Sequence, residues 1–86
     1  MSRKLAFTQA AVNKMKAPAR RREYYRDTRT SGLYLCVYPT GAKVFEYYRR
    51  MGGRPTRLAI GQFPALTVGL ARRAAARLAG ELADTV

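Results

Sequence analysis

The residue types that usually carry chemistry are scarce in this chain. It has no histidine, one cysteine and five carboxylates: Glu23, Asp27, Glu46, Glu81 and Asp84. Without histidine, no His-based triad or His ligand set can form. The carboxylates show no paired spacing suited to acid–base work, and no activating base lies near the six tyrosines in sequence to make one a nucleophile. Gly52-Gly53 reads as a turn and not a phosphate loop, because no helix follows it. The expectation is a non-catalytic segment with no metal, cofactor or small-molecule substrate. What the sequence offers instead is charge: 17 Lys+Arg against 5 Asp+Glu, a formal +12. Such an imbalance calls for a polyanion or an anionic membrane surface as partner.

The elements that must display this charge follow from pattern. At 86 residues and 48% hydrophobic the chain suits one small domain with a single core, and not a disordered basic tail. Residues 1–22 read as a basic arm with seven cations and no acid. Within it, Thr8 caps a short helix over Gln9–Met15, and Lys16-Ala17-Pro18 ends that helix. Arg22–Arg26 reads as a first strand, and Asp27–Gly32 as a polar loop. Residues 22–86 then form a β-meander followed by a helix.

Two turns set the register of the meander. Pro39-Thr40-Gly41 suits a three-residue hairpin loop, placing Tyr38 opposite Ala42, Leu35 opposite Phe45 and Leu33 opposite Tyr47. Gly52-Gly53 suits a two-residue primed turn, placing Met51 opposite Arg54, Tyr47 opposite Leu58 and Phe45 opposite Ile60. Both registers assign Leu33, Leu35, Val37, Phe45, Tyr47, Leu58 and Ile60 to one apolar face. Tyr34, Cys36, Tyr38, Glu46, Tyr48, Arg50 and Arg57 take the other. After Pro64 the period becomes helical. Thr67 is the N-cap, and Ala71, Ala74, Ala75, Leu78 and Leu82 form a stripe that can cover the apolar face. Arg72, Arg73 and Arg77 are expected on the solvated side. The fold class is therefore α+β: a three- to four-stranded antiparallel sheet, a short N-terminal helix and a C-terminal helix on one face.

The open face is the candidate site. A two- or three-stranded sheet fits the major groove, where arginine donates two hydrogen bonds to guanine. Tyr48, Arg50 and Arg57 would meet DNA, with Tyr34 and Tyr38 beside them. A solvated sheet face of the same composition is the alternative. Glu46 either accepts from a cytosine amine or pairs with a neighbouring arginine. From the arm, Lys14, Lys16, Arg20, Arg21 and Arg22 are candidates for phosphate or minor-groove contact. An RNA-binding basic module and a protein-interaction domain with an acidic partner are the rival functions. The lone Cys36 excludes an internal disulfide and suits a reducing cytosol. No apolar run approaches the roughly 20 residues that span a bilayer, and no secretory signal is apparent, so a cytoplasmic location is expected.

The blocks Asp27-Thr28…Gly32-Leu33-Tyr34-Leu35…Val37…Pro39-Thr40-Gly41-Ala42-Lys43…Phe45, then Arg49-Arg50, Gly52-Gly53, Leu58-Ala59-Ile60-Gly61-Gln62-Phe63-Pro64 and Ala71-Arg72, resemble a known family. It is the N-terminal domain of prophage and genomic-island tyrosine recombinases of bacteria. The resemblance extends to Thr8…Val12…Lys16-Ala17-Pro18 and implies a domain that binds arm-type sites on double-stranded DNA. It also implies that core-binding and catalytic domains, and contacts with other integrase protomers, belong to sequence beyond Val86. Thr67-Val68-Gly69-Leu70 lacks the glutamate of the family's capping box, which implies a less firmly started helix.

Overall fold

A computed structural model describes residues 3–84, with side chains described as far as Gly80. The order of elements is β1 (Arg3–Leu5), α1 (Gln9–Lys14), β2 (Glu23–Asp27), β3 (Leu33–Val37), β4 (Lys43–Met51), β5 (Arg54–Phe63) and α2 (Val68–Asp84). The α+β class holds, but the sheet has five strands in the order β1-β2-β3-β4-β5 and is mixed. The additional strand, β1, runs parallel to β2, pairing Arg3 with Tyr25 and Leu5 with Asp27. Parallel neighbours need a crossover, and α1 supplies it. Residues read as a basic arm thus donate Phe7 and Val12 to the core, both fully buried.

Turn chemistry determines the two hairpins as expected. In the first, Tyr38 donates to Ala42 O at 2.9 Å and Gly41 takes φ 93°, with Leu35 opposite Phe45 and Leu33 opposite Tyr47. In the second, Gly52 and Gly53 both have positive φ, and Met51 faces Arg54. The register expected for Phe45 and Ile60 is corrected: Phe45 faces Gly61, Glu46 faces Ala59, and Ile60 is the extra residue of a bulge. The slip has a purpose, because side chains alternate with period two. An unbroken ladder would aim Gln62 at the core and Phe63 at solvent. With the bulge, Phe63 meets Phe45 edge-on at 6.3 Å, while Gln62 is exposed.

The core lies between the sheet and the helices: Leu33, Leu35, Val37, Phe45 and Tyr47 against Phe7, Val12, Val68, Ala71 and Ala75. Thr67 caps α2 by accepting from Leu70 N at 3.2 Å, and Gln9 Oε1 accepts from Val68 N at 3.1 Å. Thr8 caps α1 by accepting from Ala11 N. Leu58, expected in the core, is 37% exposed because it lies on edge strand β5. Leu82, the last residue of the expected stripe, falls outside the described side chains. No helix among the described residues is long and apolar enough to cross a membrane.

Arg72 departs most from expectation. Its side chain turns inward to Asp27, which is 3% exposed, with Nε 2.9 Å from Oδ2 and Nη2 3.2 Å from Oδ1. Asp27 Oδ1 also accepts from Phe7 N at 3.0 Å and Arg29 N at 3.3 Å, and Arg72 Nη2 donates to Phe7 O at 2.6 Å. Burial pushes the Asp27 carboxyl up, but Arg72 and the two backbone donors outweigh it and hold it below its ordinary value.

The ion pair and the turn at Gly32 each make a measurable difference to stability. Arg72→Ala leaves a buried carboxylate unpaired and should cost about 3–5 kcal/mol in chemical denaturation. Because the folded carboxyl is depressed, the stability it contributes is complete above the ordinary Asp value of about 3.9 and is lost as pH falls through the lower folded value. Asp27→Asn should therefore flatten the acid limb of a stability–pH profile. Gly32 has φ 84°, and a Cβ there would sit 2.6 Å from Tyr47 Cε1 and 2.9 Å from Tyr48 O. Gly32→Ala should lower stability by about 1–3 kcal/mol or more, well beyond Gly41→Ala, where φ is also positive but space is open.

Candidate nucleic-acid interface

Opposite the helices, the sheet presents a tyrosine-rich face whose centre is Arg57. Arg57 faces Tyr48 across the β4–β5 ladder, and Tyr34 faces Glu46 across β3–β4. Pairing β2 to β3 brings Tyr24 opposite Cys36 on the same face. The Arg57 guanidinium carbon stands 4.4 Å from the ring centre of Tyr24, 5.1 Å from Tyr34 and 5.0 Å from Tyr48. Cations are drawn to aromatic faces at such distances. Tyr34 and Tyr48 meet edge-on at 5.7 Å. Glu46 Oε1 lies 3.5 Å from Arg57 Nη1, a pairing with a neighbouring arginine. Arg57 is thus a surface cation held in a defined place, between a carboxylate and a ring of phenols.

The remaining candidates divide by position. Arg50 is exposed near the β4–β5 turn, its Nη1 3.5 Å from Gly53 O. Tyr38 is half-buried at the start of the first hairpin loop. Arg22 reaches the cluster from the segment before β2, 5.6 Å from the Tyr24 ring. Its guanidinium is held more basic than usual by Tyr38 first and then Tyr24. Burial pushes the Tyr24 phenol up, with Cys36 adding to the rise and Arg22 and Arg57 opposing it. Lys14 closes α1, in the layer across the sheet from the tyrosines, and Lys16, Arg20 and Arg21 are exposed along the connection to β2. These four are not brought into the Arg57 cluster. Cys36, expected on the open face, is fully buried beneath its neighbours.

Some basic residues have structural work. Lys43 Nζ donates to Val12 O at 2.8 Å and Asn13 O at 3.3 Å, closing the end of α1. Arg49 lies on the core side of β4 and donates to Ala79 O at 3.2 Å. Sequence reasoning missed Tyr24. The signal was the alternation in β2: Tyr25 packs against the core, so its neighbours Tyr24 and Arg26 must point the other way. Among the described residues no group of three or more His, Cys, Asp or Glu side chains could hold a metal ion.

The family model described as arm DNA-binding domain matches residues 7–86. The chain belongs to that family. The arm DNA-binding domain is a type found in phage integrases; it binds DNA and is by itself non-catalytic. No curated protein matches the chain. For this arm DNA-binding domain, Glu46→Gln should loosen the Arg57 side chain, seen as faster solvent exchange of its Nε–H in NMR. The cost in stability should be no more than about 1 kcal/mol, since the pair is at the surface.

Proposed function

We propose that this domain grips arm-type sites on double-stranded DNA through its tyrosine-rich sheet face, as the N-terminal part of a phage-like tyrosine recombinase acting in DNA integration. The observation that carries the reading is Arg57, fixed over three tyrosine rings by Glu46 on a face whose neighbours are Tyr34, Tyr48 and Arg50. A side chain already restrained loses less rotamer freedom when it binds, and arginine is the residue suited to two hydrogen bonds with guanine in the major groove. In this reading Arg57 and Arg50 read base edges, while Tyr34, Tyr38 and Tyr48 line the groove walls. Lys14, Lys16, Arg20, Arg21 and Arg22 hold phosphates or reach the minor groove. Strand exchange and contacts with other protomers belong to further domains of the recombinase, which would act in the bacterial cytoplasm. An RNA-binding role is less favoured, because Tyr24, Tyr34 and Tyr48 surround a guanidinium instead of standing open for base stacking.

Arg57→Ala should weaken binding to the specific duplex by about 1–3 kcal/mol, with a smaller loss on unrelated DNA. Equal losses on both would make Arg57 a phosphate contact. Arg21→Ala should weaken both equally and flatten the salt dependence. Single-stranded RNA displacing the specific duplex from the wild-type domain would overturn the double-stranded reading.

A further inference from the structure

A second concentration of charge lies at the end of the sheet, where the β2–β3 loop meets β4. It is an open recess walled by Lys4, Arg26, Arg29 and Arg49, with Tyr34 and Tyr48 on the side nearest the Arg57 cluster. Convergence distinguishes these cations. Lys16, Arg21 and Arg73 also make no side-chain ion pair or hydrogen bond among the described residues, but they do not line the recess, and others are partnered. Arg72 has Asp27, Arg57 has Glu46, Arg3 has Glu23 at 3.9 Å, and Lys43 closes a helix end. The side chains of Lys4, Arg26 and Arg29 make no ion pair or hydrogen bond among the described residues, and Arg49 is held at the rim by Ala79 O. The one carboxylate in the wall, Asp27, is already satisfied by Arg72 and two backbone N–H groups. The recess is therefore a convergence of like charges with no internal anion. Arrangements of this kind raise the local concentration of an anionic ligand, and anion binding relieves their mutual repulsion.

We infer that this recess is a second DNA contact, taking backbone phosphates of the same duplex that the sheet face meets. The proposal rests on DNA binding through that face. Tyr34 and Tyr48 belong to both surfaces, so a strand leaving the Arg57 cluster passes directly into the recess. Phosphodiester groups, with a charge at every nucleotide and no sequence information, suit flexible unpaired cations better than base edges do. Lys4 was read in the sequence only as one of the seven cations of the basic arm, and Arg26 and Arg29 did not stand out there as DNA-binding residues.

The test removes two exposed side chains that have no structural role, in the variant Lys4→Ala/Arg29→Ala. Binding to a specific and an unrelated duplex is measured across a salt series, with a thermal melt to verify the fold. The slope of log K against log [salt] should flatten by about 1.8, or about 0.9 for each phosphate that is no longer neutralised. The ratio between the two duplexes should stay unchanged. An unchanged slope with wild-type affinity, while Arg57→Ala still weakens binding, would overturn the recess and leave the sheet-face reading standing. A loss confined to the specific duplex would overturn it as a phosphate site. Failure of the wild-type domain to bind any duplex would overturn both readings together.

Discussion

The buried ion pair of Asp27 and Arg72 is the constraint on which the other elements depend. A carboxylate taken out of water is costly unless every lone pair finds a donor. Here the donors come from three places that no short-range rule connects: the segment after β1, the β2–β3 loop and the first turns of α2. Meeting them at one point seats α2 across the sheet and draws β1 alongside β2. It also sets the loop that precedes Gly32. That loop in turn borders the recess, so a buried acid with no ligand-binding role shapes the surface where the basic residues gather.

The strong positive charge is consequently not uniform in kind. One part serves architecture, with half-buried Arg72 on the buried Asp27, Lys43 at the end of α1 and Arg49 against α2. Another part is displayed: Arg57 in its ring of tyrosines, Arg50 at the hairpin tip, and the unpaired group around Lys4 and Arg29. The helices and the displayed tyrosine face lie on opposite sides of one sheet. The domain can therefore approach a polyanion without disturbing the interactions that fold it.

Local signals carried the sequence reading far, and long-range ones stopped it. Glycines at 41, 52 and 53 determine two turns, and from those turns the pairing of Leu33 with Tyr47 and of Met51 with Arg54 follows by counting. The same counting failed past Leu58, because a bulge at Ile60 is decided by whether Phe63 or Gln62 reaches the core. β1 was invisible: three residues of Arg-Lys-Leu have no periodicity, and their partner strand is about twenty residues away. Arg72 looked solvated because its carboxylate is 45 positions distant. Of the site, the shared face of Tyr34, Tyr48 and Arg57 was legible by alternation. Their convergence with Tyr24 was not, since it needs β2 docked on β3.

The bulge on β5 also bears on how copies of this domain behave near one another. β5 is a ten-residue strand at the open edge of the sheet, the kind of edge that invites another chain to pair with it. Pro55 offers no N–H to an incoming strand, the bulge at Ile60 breaks the even spacing of the ladder, and Arg54 and Arg57 repel a second copy of a strongly cationic chain. The opposite edge, β1, is only three residues long. Both described edges of the sheet thus carry features that discourage strand pairing between copies of the chain.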